Sequence, residues 1–216
     1  MWTRPGTTIR VILHNKPLYG VIYLSTIYAL QSIFFYLNWW SLGVHSASSS
    51  LFFAALISAP FIGAAWLYLM GAVFFLTGRL LKGTASAKHL RTSIAWSKIP
   101  TSINLLLWIF LIFVSAETVF IQDGGGPSSV LINLMTLILG IWSFVLLVQG
   151  IAEAQQFSIR RSLINILLSL ILYGFLFFVI FISLRYIYIS IRFYLTSGLQ
   201  KQIAGINVYK KLIRAD

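Results

Sequence analysis

The chain has 216 residues, 59% of them hydrophobic and only 9% charged, with 16 Lys and Arg against 4 Asp and Glu for a net charge of +12. An ordinary soluble domain is about 25% charged, so this balance excludes a water-soluble enzyme and points to an integral membrane protein. The lack of cysteine excludes disulfides, thiolate metal sites, lipidated cysteines and a cysteine nucleophile.

In chain order, the opening stretch MWTRPGTTIRVILHNKP carries Arg4, Arg10 and Lys16 around a VIL core too short for a signal peptide. Five apolar runs follow, each near the ~20 residues a helix needs to cross about 30 Å of hydrocarbon. They are Pro17–Trp40, Leu51–Leu76, Ile99–Ile121, Val130–Ala152 and Leu163–Ile187, with a basic tail over 188–216. The expectation is one all-α membrane domain over 1–216, a polytopic bundle of five transmembrane helices.

Within the second run, Ala55, Ala59 and Gly63 recur every four residues and make a small-residue ridge suited to close helix packing in lipid. Pro60 beside them is expected to kink the helix. Between the second and third runs lies KGTASAKHLRTSIAWSKIP. Ala87, Leu90 and Ile94 fall on one side of a helix and Lys88, Arg91 and Lys98 toward the other, with Thr84 as a candidate N-cap. This predicts an amphipathic helix in the inner membrane interface, its far end anchored by Trp96 and Pro100. Asn104 and Asn133 suit hydrogen bonds between helices, Glu117 suits a solvated rim, and Gly124–Pro127 (GGGP) predicts a tight turn.

Counting Lys and Arg by loop orients the chain. The N-terminus and the second and fourth loops are basic, the latter two through Arg79, Lys82, Lys88, Arg91, Lys98, Arg160 and Arg161, whereas the first and third loops contain neither residue and the third holds Asp123. The N-terminus is therefore expected in the cytoplasm. Five crossings would place the C-terminus outside, although the tail carries Arg185, Arg192, Lys201, Lys210, Lys211 and Arg214. Either the tail translocates behind dominant earlier spans, or the last run is re-entrant. The charge itself matches anionic lipid head groups better than nucleic acid, because no compact basic module stands apart from the spans.

Catalysis inside a membrane needs several ionisable groups at one depth. His14, His45 and His89 fall in separate segments, and neither an H-E-x-x-H nor a G-x-S-x-G motif occurs; no metal, cofactor or catalytic site is expected. The richest polar stretch is QGIAEAQQFSIRRS. Gln149, Glu153, Gln156 and Arg160 are spaced four, three and four apart and share a face if the fourth helix continues. Glu153 is expected to pair with Arg160 or with the basic loop at Lys88 and Arg91, and these six residues form the candidate partner-binding face. The alternative is a small transporter or channel, or an accessory subunit of a transporter complex, using the Pro60 kink and this stripe as its path.

TRPGTTIRVILHNKPLYG before the first span, GRLLKGTASAKHLRTSIAWSKIP between the second and third, and IWSFVLLVQGIAEAQQFSIRRSL through the fourth together resemble the Yip-domain family. These are the Ypt/Rab-interacting five-span membrane proteins and their bacterial relatives. The resemblance implies a bacterial-type member in the cell inner membrane, with a cytoplasmic N-terminus. It also implies a non-catalytic adapter or scaffold that organises membrane proteins or trafficking by protein binding. Gly83, Pro100, Gly150 and Glu153 occupy the family's pattern positions.

Overall fold

The computed structural model of the chain describes residues 5–15, 20–115, 117–122 and 126–213. Its described elements are helical: α1 Pro5–Asn15, α2 Val21–Trp39, a short 3-10 turn Leu42–Val44, α3 Ser48–Leu80, α4 Ala87–Ser97, α5 Ile99–Val114, α6 Pro127–Gln155 and α7 Ile159–Ile213. Four helices are long and apolar enough to cross a membrane: α2, α3, α6 and the Ile159–Ile189 part of α7. A fifth crossing arises only if α4 and α5, bent by 42° at Lys98, count as one broken span. The chain is thus a multi-pass helical membrane protein with four or five crossings.

The chain divides into two compact units, residues 1–169 and 170–216. The second is the continuation of α7, whose side chains are exposed apolar ones from Phe175 to Leu184 apart from Ser183. A helix apolar on every side is suited to lipid rather than to water.

In the first unit α2 and α3 run antiparallel, and the small-residue ridge sits at their contact. Ala55 and Ala59 are buried, and a Cβ added at Gly63 would come 2.6 Å from the Ser25 carbonyl oxygen. Such backbone-to-backbone approach replaces the hydrophobic drive that lipid removes. Farther along, Phe34 of α2 meets Phe52 of α3, Trp108 of α5 and Phe120 of the following turn, with ring centroids 5.8, 6.2 and 5.6 Å apart. Asn38 Nδ2 donates to the carbonyls of Val119 (2.9 Å) and Ile121 (3.3 Å), which ties that turn to α2. α3 passes through Pro60 as continuous helix. Asn104 Nδ2 donates to Thr136 Oγ1 at 2.8 Å across α5 and α6, whereas Asn133 is exposed.

Three expectations need correction. The third span does not reach Ile121: α5 stops at Val114 after 16 residues. Val119 and Phe120 are apolar because they fold back under Phe34 and Trp108, not because the helix continues. The basic segment is helical, but its cap is Ser86, whose Oγ accepts the His89 N–H at 3.3 Å, and not Thr84. The helix it begins also buries more than one apolar side. Leu90, Thr92, Ser93, Ile94, Ala95 and Ser97 of α4 are all buried, and Leu90, Ile94 and Ala95 belong to the core cluster with α1, α3 and α6. Of the other sequence expectations, Arg4, Lys16, Pro17, Asp123, Gly124, Gly125 and Arg214 lie outside the described residues.

Candidate functional site

The polar stretch that follows Gln149 becomes a built corner of the bundle, where α1, the start of α4 and the end of α6 meet. α6 stops because Gln156 takes a left-handed conformation (φ 57°, ψ 41°), and the Phe157 N–H bonds back to the Ala152 carbonyl at 2.8 Å. This is the usual way a helix end satisfies its last carbonyls, with glutamine here in a place that favours glycine. Gln156 Nε2 also donates to the Glu153 carbonyl at 2.9 Å. The next helix is capped by Ser158, whose Oγ accepts the Arg161 N–H at 3.4 Å.

This ending breaks the anticipated stripe. Gln149 and Gln156 remain beside Glu153 and line one cavity with it. Arg160 lies beyond the turn on α7, exposed, so it is not on the same helical face. Lys88 is exposed, while Arg91 places its guanidinium over the Tyr68 ring of α3, 4.3 Å from the centroid. Neither supplies the partner of Glu153.

That partner is Arg10 of α1, which donates through Nε (3.0 Å) and Nη2 (2.9 Å) to the two carboxylate oxygens. The bidentate fork is the strongest form of this pairing, and the carboxylate raises the Arg10 pKa, chiefly through these hydrogen bonds and then through its charge. Two cavities, of about 240 and 320 Å³, share Arg10, Glu153 and Gln156. Thr84 and His89 line the first, and Gln149 and Phe157 the second. Among the described residues no three His, Asp or Glu side chains come together as a metal site.

The sequence reading missed two more contributors. Ile9 and Leu13, one helical turn apart on α1, are buried in a cluster with Leu90, Ile94, Val148, Ile151 and Ala154. Their spacing is the signal that α1 is a helix with one apolar face. Gln155, whose side chain points away from the cleft, is 2% exposed. Its Oε1 accepts the Ala85 N–H at 3.2 Å and its Nε2 donates to the Phe74 carbonyl at 3.4 Å. The space for that amide exists because residues 78 and 83 are glycines, and a Cβ at either would overlap it.

Three of the four pattern positions lie at this corner, and Pro100 lies apart from it on α5. Gly83 touches Gln155 and Phe157, Gly150 lies against Ser93 of α4 and Ile9 of α1, and Glu153 holds Arg10. Pro100 is buried in the first turn of α5, where a missing N–H costs no helical bond. The Yip1 domain model matches residues 1–182. No curated protein and no solved structure matches. With the match running from α1 through α6 and into α7, the chain belongs to the Yip1 domain family.

Proposed function

We propose that this protein is a non-catalytic multi-pass membrane adapter or scaffold, which binds other membrane or membrane-associated proteins at the corner built from α1, α4 and α6. The observation that carries this reading is the Arg10–Glu153 pair, set between two open cavities, the one beside Gln149 mainly polar and the one beside Leu13 mainly apolar. Both carboxylate oxygens are occupied by Arg10, which leaves Glu153 poorly placed as a general base and well placed to present a charged, shaped surface. Lys88 and Arg160 extend that surface, and its basic surroundings suit anionic lipid head groups. The charge bias of the loops supports a cytoplasmic position for this corner; a bacterial inner membrane is what the family resemblance implies.

The test is cross-linking in native membranes followed by affinity capture. Glu153→Ala, and separately Lys88→Gln with Arg91→Gln, should weaken recovery of partners without loss of membrane insertion. Arg10→Ala distinguishes the routes: loss in both Arg10 and Glu153 variants assigns the effect to α1 docking, and loss only with Glu153→Ala assigns it to direct contact. Full partner recovery in all of these variants would overturn the proposal.

One observation favours a second reading, as a small transporter or an accessory subunit of one. The α4–α5 pair is a discontinuous helix with a lysine at its break, a device that transporters use to place polar groups at depth. Flux of a broad solute panel into liposomes, sensitive to changes at Pro60, Gln149 and Lys98, would support it; flux no greater than in protein-free liposomes would exclude it.

A further inference from the structure

Two arginines on one flank of α3 rest on aromatic rings instead of carboxylates. The Arg91 guanidinium of α4 lies over Tyr68, 4.3 Å from the ring centroid, and that of Arg79 lies over Phe75 at 5.0 Å. Tyr68, Phe75 and Arg79 are spaced seven and four residues apart and so share one side of α3. Gly71 makes room for the first pair: a Cβ there would meet Arg91 Cγ at 2.6 Å, so the arginine stem crosses α3 where no side chain stands. Exposed Lys82 and Lys88 add charge between the two helices.

No acid answers these cations. Of the four acids in the chain, Glu153 is engaged by Arg10 in the only ion pair among the described residues. The Glu117 carbonyl meets Ser48, at the opposite end of the 33-residue α3, and Asp123 and Asp216 lie outside the described residues. Arg91 Nε is enclosed and has no hydrogen-bond partner. A ring attracts the charge of a guanidinium through its quadrupole and leaves the in-plane N–H donors unspent.

The packing of α2 on α3 gives the level of this flank. Position 63 of α3 meets the Ser25 carbonyl, and α2 begins four residues before Ser25, at Val21. Tyr68, five residues beyond Gly63 on the antiparallel helix, therefore stands within a turn of the α2 start. With 19 residues, α2 is about 28 Å long and matches the ~30 Å of hydrocarbon, and exposed Trp39 and Trp40 mark its other end. Tyr68 and Arg91 thus lie at the hydrocarbon edge, where lipid phosphates begin. Seven residues back toward the hydrocarbon, in register with Tyr68 and Leu69, Phe61 and Ile62 are exposed apolar side chains.

We infer that Arg91, seated on Tyr68, binds the phosphate of an anionic phospholipid whose acyl chain lies along Phe61 and Ile62. Level and surroundings choose this occupant: a cation with unspent donors at the phosphate layer continues directly into an exposed apolar strip, which serves an amphiphile and neither a free anion nor an acidic peptide. Arg79, about 10 Å farther along α3 by helix rise, attracts the same head group through its charge, near the limit of screening. Anionic lipid as a class matches the charge of the loops; Arg91 gives it one seat. That seat uses neither Arg10 nor Glu153, so it stands apart from the α1–α4–α6 corner.

The test titrates the full chain in detergent micelles with dioleoylphosphatidylglycerol or dioleoylphosphatidylcholine, bound lipid being counted by native mass spectrometry. The wild-type chain should hold the anionic lipid about fivefold more tightly. Arg91→Gln should remove most of that preference. Gly71→Ala, which keeps every charge but pushes the arginine stem aside, should weaken it, and Lys201→Gln, which removes one charge from the tail, should leave it unchanged. Variants are compared at equal helix content, and Tyr68→Leu, which removes the ring and keeps the arginine, takes the place of Arg91→Gln if that variant unfolds. Equal binding of the two lipids by the wild-type chain, a preference that survives Arg91→Gln, or an equal loss in Lys201→Gln overturns the assignment. So does full displacement of the lipid by excess inorganic phosphate, which would make the ligand a free anion, or by a polyglutamate peptide, which would make it an acidic protein segment. Partner capture with Glu153→Ala is read separately and is unaffected by any of these results.

Discussion

At one end of the first unit, space is filled: Phe34, Phe52, Trp108 and Phe120 interlock, with Trp108 wholly buried. At the other end, space is removed: Gly78, Gly83 and Gly150 let the Gln155 amide, Ser93 and Ile9 approach where any side chain would stand. In lipid, where apolar burial supplies little drive, both devices work through contact density. The contrast teaches that the two ends should fail under volume changes of opposite sign. The ring end breaks when atoms are lost, and the α1 end when atoms are added.

The largest effect is expected at the ring end. Trp108→Ala should cost about 3 kcal/mol by opening a cavity, read as a lower midpoint of detergent-induced unfolding; a midpoint within error of wild type would mean that this cluster carries no packing energy. Next comes the α1 end under enlargement. A Cβ at Gly150 would lie 3.2 Å from Ser93 Cβ and 3.4 Å from Ile9 Cδ1, so Gly150→Leu should cost roughly 1–3 kcal/mol from overpacking. Gly140 is the control, since a Cβ there meets nothing within 4 Å; Gly140→Leu should stay within about 0.5 kcal/mol of wild type.

Gln155→Leu keeps approximate size and removes the amide. It leaves the Ala85 N–H and Phe74 carbonyl without their partner and should cost about 1–2 kcal/mol. A neutral outcome would show that shape, not hydrogen bonding, holds this end. The smallest effect on global unfolding is expected from Arg10→Gln. The arginine is exposed, so the change should appear as faster amide exchange in α1 at an unchanged unfolding midpoint. Added salt should mimic it in the wild-type chain. Base should not: a raised guanidinium pKa means that the contribution is fully present below the ordinary arginine value and is lost only as pH climbs through the higher folded one.

The same contrast separates what the sequence disclosed from what it did not. α2, α3, α6 and the start of α7 were legible because lipid demands long unbroken apolar runs, and their ends fell within a few residues of the expected ones. The end of α5 was hidden, since a hydropathy pattern cannot tell the helical FLIFV from the Val119 and Phe120 that fold back beneath Phe34. In the candidate site, Glu153, Gln149 and Gln156 were found from their spacing. Arg10 was not, because it lies 143 residues away and its role depends on how Ile9 and Leu13 dock α1. Arg160 was misplaced for a local reason, the left-handed Gln156 that ends the helix one turn earlier than periodicity suggests.

The bend at Lys98 has a consequence for how the chain enters a membrane. α5 alone is 16 residues, about 24 Å, and falls short of the hydrocarbon thickness, while α4 is rich in serine and threonine. Neither is a good insertion signal by itself. The carbonyl at the bend is nevertheless closed by the hydroxyls of Thr101 and Ser102, so the pair can travel as one body without exposing that carbonyl to lipid. α4 would then be drawn in late, as a guest of the walls already formed by α3 and supplied afterwards by α6, and the order in which the helices are synthesised becomes part of how the pair is seated.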